Sequence, residues 1–199
     1  MRAPAIAVFC SGRGTNLQAI LDAVRRRRLR AHVALVVSDN PGAYALARAR
    51  AAKVPAVVVD PRRFRSRAQY DRAVARLVDA SGARLIVLAG YMRLLSAPFV
   101  RRYRGRILNI HPALLPSFPG TRAVRDALRH GAKVTGVTVH FVDEQIDHGP
   151  ILLQEPVKIK EGDTERSLHE RIHKVEHRLY PKAIQQVLNR KGPGRPGIS

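Results

Sequence analysis

Cysteine, acidic side chains and long apolar runs are all scarce in this chain, and each shortage removes a class of protein. The single cysteine, Cys10, rules out an intrachain disulfide framework and leaves too few thiols for a cysteine-rich zinc site. It reads as a small buried hydrophobe, and a reducing cytoplasm fits such usage. No stretch approaches the roughly 20 apolar residues of a membrane span, and the first ten residues lack the length and flanks of a signal peptide. The expectation is a soluble cytoplasmic protein with no membrane partner. Only 15 Asp and Glu face 36 Lys and Arg, a formal charge of +21. Phosphates are drawn to such a surface, but the cations are mostly arginines spread through segments such as 24–30 and 62–76. The run Arg25 to Arg28 reads as a solvated helix end near the negative pole of the helix dipole. Nucleic acid is therefore not the expected partner, and steering of small anionic substrates is the middle reading.

What is present suffices for one core. With 199 residues at 45% hydrophobic content, a single domain over residues 1–188 is expected. Residues 189–199 are expected as a disordered basic tail, since K-G-P-G-R-P-G has nothing to bury. Apolar runs near 5–9, 32–37, 56–59, 85–89 and 107–110 alternate with helical patterns near 16–27, 43–52, 67–80 and 122–130. That order predicts an α/β fold with a mostly parallel sheet covered by helices on both faces. Runs at 134–142 and 151–158 predict an antiparallel extension. A last helix over 164–188 is expected to bend near Pro181.

The chemistry concentrates in two segments, N-I-H-P at 109–112 and G-V-T-V-H-F-V-D-E-Q-I-D-H-G-P at 136–150. Alternation along a strand puts Asn109 and His111 on one face, and Pro112 ends the ladder directly after them. An amide, an imidazole and the Asp147 carboxylate, with no nucleophilic Ser or Cys beside them, suit a substrate that brings its own nucleophile. The first strand runs into C-S-G-R-G-T-N, where Gly12 and Gly14 permit a tight turn and Thr15 or Asn16 can cap the following helix, aiming N–H groups at an anion. The loop is neither a G-x-G-x-x-G fingerprint nor a Walker A motif. Plainer readings stand beside these: His111 as a structural histidine, Asp147 as a turn former, His140 as a strand-face residue flanking the site, and Met92 to Leu95 as ordinary core.

The chain resembles the folate-dependent glycinamide ribonucleotide formyltransferases from about Ala5 to Leu188. The likeness rests on S-G-R-G-T-N at 11–16, F-x-S-R-x-x-Y-D at 64–71, L-A-G-Y-M-R-L-L at 88–95, N-I-H-P-A-L-L-P-S-F-P-G at 109–120, the I-D-x-G ending at Gly149 and E-H-x-x-Y-P at 176–181. That resemblance implies a Rossmann-like formyltransferase fold. It implies transfer of a formyl group from the co-substrate 10-formyltetrahydrofolate to the amine of glycinamide ribonucleotide, with no metal. It gives Asn109 and His111 the developing oxyanion and Asp147 the orientation of His111 and the departing proton. It sets Gly14, Thr15, Asn16 and Glu176 against the nucleotide, and Arg67, Met92, Arg93, Leu94, Leu95 and Asp143 against the folate. A monomer or homodimer is implied. His148 receives no role, and His173, one turn before Glu176, departs from the family pattern. Competing readings are a methionyl-tRNA formyltransferase, expected to carry a further C-terminal RNA-binding domain, a formyltetrahydrofolate hydrolase, expected to carry an N-terminal regulatory domain, and a nucleic-acid-binding module resting on charge alone.

Overall fold

A computed structural model describes residues 3–190; the expected tail lies, except for its first two residues, outside the described residues. Strands β1 (Ala5–Cys10), β2 (His32–Ser38), β3 (Ala56–Val58), β4 (Leu85–Leu88), β5 (Ile107–His111), β6 (Val134–Phe141) and β7 (Ile151–Lys158) form one sheet in the order β3-β2-β1-β4-β5-β6-β7. The first five pair in parallel, and β6 and β7 are antiparallel additions. Central strands β1 and β4 are buried almost throughout, as sheets covered on both faces require of apolar runs such as A-I-A-V-F-C. Edge strand β7 tolerates Pro156 because an edge residue need not donate to a neighbour.

Among the described residues, six α-helices complete the fold: α1 (Thr15–Arg25), α2 (Tyr44–Ala51), α3 (Arg67–Ala80), α4 (Ala97–Arg102), α5 (Ala123–Arg129) and α6 (Glu165–Leu188). A 3₁₀ turn at Pro61–Arg63 and helix α4 are additions to the elements expected from the sequence. Each is short and starts on a side-chain cap, Asp60 accepting from the Arg62 N–H and Ser96 from the Phe99 N–H. Helix α6 does not break at Pro181. The proline ring removes one helical donor, while Leu168, Ile172, Leu179, Tyr180, Ala183, Ile184 and Val187 seat the whole length of the helix on the sheet.

Two cores result, one per sheet face. One joins α1, α2 and α6 to residues such as Ile6, Val8, Leu108 and Val139. The other joins α3 and α4 to Ala7, Phe9, Leu35, Ile86, Leu88 and Ile107. The second core reaches only the start of β5, and next to it on that face Asn109, His111, Thr138 and His140 carry polar side chains in place of a helix-covered core.

Tyr180 is fully buried, and its hydroxyl donates to the carbonyls of Leu88 (2.8 Å) and Leu108 (3.0 Å), fixing α6 beneath the end of β4 and the start of β5. Tyr180→Phe removes the donor shared by two buried acceptors and is expected to lower the unfolding free energy by about 1 to 3 kcal/mol. Urea unfolding checks this: the midpoint should fall at unchanged slope, and an unmoved midpoint would mean the bond contributes nothing.

Candidate functional site

Ligands of open α/β sheets bind beyond the carboxyl ends of the strands, where the chain order reverses. Here the first crossover carries β1 to β2 on one side, and β4 returns on the other. Three segments leave that edge: the glycine turn after β1, residues 89–95 after β4 and residues 112–122 after β5. They are tied together, since the Ser11 N–H donates to the Gly90 carbonyl (3.0 Å) and the Met92 N–H to the Ser11 hydroxyl (2.8 Å).

The β5 and β6 register builds the polar cluster. Asn109 pairs with His140, and His111 with Thr138, so the two polar residues of one strand stand beside two of the next. Asn109 Nδ2 lies 3.2 Å from His140 Nε2 and donates to Asp147 Oδ1 at 3.3 Å. If His140 Nε2 accepts from Asn109, its proton resides on Nδ1, which is 2.9 Å from the Phe141 carbonyl. His140 is thus the strand-face residue expected, and it also touches Asn109 directly.

Asp147 comes to this cluster from the loop after β6. One carboxylate oxygen accepts from the Gly120 N–H (2.8 Å) and lies 3.4 Å from His111 Nδ1, while the other serves Asn109. It is not the turn former of the plainer reading. That role belongs to Asp143, whose side chain accepts from the Gln145 N–H and whose second oxygen is 2.7 Å from His148 Nδ1. Asp147 itself has φ +50, a conformation uncommon outside glycine that local contacts must hold.

His111 Nε2 is 2.8 Å from the Phe118 carbonyl. A carbonyl only accepts, so Nε2 carries a proton. Nδ1 then faces a carboxylate, and a cationic ring would satisfy both partners. Burial nevertheless pushes the His111 pKa down, outweighing the Asp147 charge and the Phe118 bond, with nearby His140 adding to the drop. Desolvation of a residue that is only 3% exposed thus outweighs the pull of the neighbouring carboxylate. Burial acts to raise Asp147 as well, but the bond from the Gly120 N–H and the charge of His111 hold it below its ordinary value.

The glycine turn differs from expectation in one respect. Helix α1 begins at Thr15 with Gly14 as N-cap, at φ 69 and ψ 33, and no side chain caps it. A Cβ on Gly14 would lie 2.7 Å from Ala45 Cβ, so both the dihedral and the close approach call for glycine. Freed from capping, Asn16 turns inward and donates from Nδ2 to Glu176 Oε2 at 2.9 Å, while its buried Oδ1 has no partner. Glu176 is 5% exposed, and desolvation raises its pKa against the opposing Asn16 bond and the charge of His169. His173 Nε2 sits 4.0 Å from Glu176 Oε2, and its ring stacks on His177 while the His169 ring is tilted against it.

Residues 92–95 are not ordinary core. Met92 and Leu94 are 64% and 57% exposed, their backbone held by the Ser11 hydroxyl and by Arg67 Nη2, which donates to the Leu94 carbonyl at 2.5 Å. Arg93 lies over the Tyr70 ring at 4.6 Å, and its Nε is buried without a partner. Leu95 is half-buried against the second core. Among the described residues no group of three His, Cys, Asp or Glu is placed to hold a metal ion, and no helix is long and apolar enough to cross a membrane.

Comparison with known proteins adds independent findings. Residues 5–184 match the formyl transferase family. The chain is 43% identical to the phosphoribosylglycinamide formyltransferase of Bacillus subtilis, over 94% of this chain and 96% of that one. It superposes on the crystal structure of glycinamide ribonucleotide transformylase 1 from Symbiobacterium toebii with a TM-score of 0.92 and 49% identity, covering 96% of this chain and 92% of that one. It is also 46% identical over 98% of its length to the trifunctional purine biosynthetic protein adenosine-3 of Drosophila melanogaster, of which it spans 14%.

Glu176 yields a test that needs no substrate. Its folded pKa exceeds its unfolded one, so ionised Glu176 costs stability above the ordinary glutamate range, and that cost vanishes below about pH 4, where both states are protonated. Glu176→Gln keeps an acceptor for Asn16 and should raise the melting temperature at pH 7, with the gain shrinking toward pH 4. A gain independent of pH, or a loss at pH 7, would contradict the assignment.

Proposed function

The chain belongs to the formyl transferase family, within it to the phosphoribosylglycinamide formyltransferases, and from that premise we propose that it moves the formyl group of 10-formyltetrahydrofolate onto the amine of 5′-phosphoribosylglycinamide. The carrying observation is the convergence of Asn109, His111 and Asp147 at one strand end, with no nucleophilic side chain among them. The catalytic domain of this reading is residues 1–188, working in the cytoplasm.

The chemistry asks for positioning and charge stabilisation. The acceptor amine attacks the formyl carbon, the carbonyl oxygen becomes an oxyanion, and collapse breaks the bond to N10 of the folate. The amine loses one proton and N10 gains one. Asn109 Nδ2 and His111 Nε2–H are the donors for the oxyanion, each placed by strand geometry before substrate arrives. His111 Nε2 is engaged with the Phe118 carbonyl, so the oxyanion replaces that carbonyl as its acceptor. Asp147, held ionised by its depressed pKa, keeps His111 oriented and favours its protonated form as negative charge grows beside it.

At the acceptor end, the N–H groups of the α1 N-terminus around Gly14, Thr15 and Asn16 receive the phosphate. The orphaned Asn16 Oδ1 offers an acceptor to an amine or amide N–H of the glycinamide arm, and Glu176 supports it. At the donor end, exposed Met92 and Leu94 give the flat pteridine an apolar face. In this reading Leu95, Arg67, Arg93 and Asp143 also face the folate, with the two arginines serving its carboxylates.

Asn109→Ala, His111→Ala and Asp147→Ala are each expected to lower kcat by roughly 10² to 10³, with little change in far-UV circular dichroism. Purified protein supplied with 10-formyltetrahydrofolate and either the ribonucleotide, formyl-acceptor tRNA or water alone separates the alternatives. Turnover with the second or third but not the first would refute the proposal, and wild-type rates in His111→Ala would refute the role given to that residue.

A further inference from the structure

A groove of about 940 Å³ runs between α1 and α6, and Thr15 of the glycine turn is among the residues that line it. Arg26, Arg28, Arg48, Lys174, Arg178 and Lys182 line it, against one carboxylate, Asp22. Two of the six cations are engaged: Arg178 pairs with Glu155, and Arg48 donates to the Arg13 carbonyl and to Gln18. Arg26, Arg28, Lys174 and Lys182 are exposed and have no carboxylate partner among the described residues. Lys174, Arg178 and Lys182 recur every fourth residue and so form one stripe on α6. Helix α1, 11 residues long, makes the track about 16 Å at the helical rise. Ala19, Ala23 and Pro181 contribute apolar wall between the charges.

We propose that this groove is an electrostatic approach track that captures the acceptor's phosphate and delivers it to the glycine turn. The inference rests on the acceptor assigned above. Clefts of one charge sign with low-dielectric walls focus field lines and raise encounter rates by 10 to 10³. Net charge alone does not produce that focusing, because exposed charges farther off than the screening length of about 8 Å at physiological salt are largely screened. The groove supplies cations spaced along a path that ends at the phosphate site. A cation at its far end therefore acts through the next one inward, not through the whole distance.

The test compares two charge reversals of equal size. Arg28→Glu/Lys182→Glu alters the groove. Arg76→Glu/Arg84→Glu alters exposed positions at α3, on the opposite sheet layer, and at the start of β4, at the end of the strands away from the site. At about 10 mM ionic strength and saturating formyl donor, the groove pair should lower kcat/KM for the ribonucleotide by roughly tenfold or more with kcat unchanged, and the gap should close near 0.5 M salt as screening tightens. The control pair should stay within about twofold of wild type. Arg28→Gln/Lys182→Gln, matched to wild type in melting temperature, should show an intermediate loss and guards against misfolding. Equal losses in both pairs, a loss that persists at high salt, or a fall in kcat at constant KM would overturn the track. Absence of formyl transfer in the wild type would instead overturn the acceptor assignment.

Discussion

Asp147 holds the site together because its two oxygens tie its own loop to two other stretches of chain. One oxygen takes the Gly120 N–H and faces His111, and the other takes the Asn109 amide. Charge-assisted bonds of this kind are the stronger ones, and they join the end of β5, the loop that follows it and the loop after β6. Without that carboxylate, Asn109 Nδ2 would keep only His140, and His111 would keep only the Phe118 carbonyl. Substrate geometry thus depends on an anion that burial disfavours and that donors on several sides retain.

Half of this arrangement was readable from residue order. The alternation N-I-H placed Asn109 and His111 on one face, and Pro112 marked the strand's end, because strand period and proline's missing donor are local properties. The glycine turn was readable for the same reason, although its cap was not: Thr15 and Asn16 are common capping types, yet Gly14 in the left-handed region starts the helix and releases Asn16 for a partner 160 residues away. His140's contact with Asn109 depends on the antiparallel register of β5 and β6, which no local pattern encodes. Met92 and Leu94 look like core by type and are exposed because a serine hydroxyl and an arginine hold their backbone at the mouth of the sheet. Helix α4 was missed although Ser96 followed by Pro98 is a start signal, since six residues carry too little periodicity to register.

The fold makes room for chemistry by covering part of one face with a loop instead of a helix. Helices α3 and α4 close one side of β1, β2 and β4, and beyond Ile107 no residue of β5 belongs to their core. Polar side chains there cost little apolar burial, and the loop of residues 113–122 crosses in place of a helix. Thr138 pins that loop, accepting from the Leu115 N–H and donating to the Ala113 carbonyl, and Gln154 from β7 donates to both Thr138 and the Leu115 carbonyl. The antiparallel extension therefore supports the loop that carries Phe118 and Gly120 to the histidine and the aspartate.

Several unfavourable local states gather at this one edge. Phe118 and Asp147 adopt positive φ without being glycine, His111 is buried with a depressed pKa, and Glu176 is a buried carboxyl with a raised one. Strain of order 1 to 3 kcal/mol per unusual backbone position persists only where surrounding structure over-determines it. Here the surroundings are the two apolar cores and the Tyr180 anchor beneath β4 and β5. Both Phe118 and Asp147 also bond into the His111 cluster, through the Phe118 carbonyl and the Asp147 carboxylate. Relaxing either backbone would swing its acceptor away from the imidazole, so the strained dihedrals and the orientation of His111 are one constraint seen from two sides.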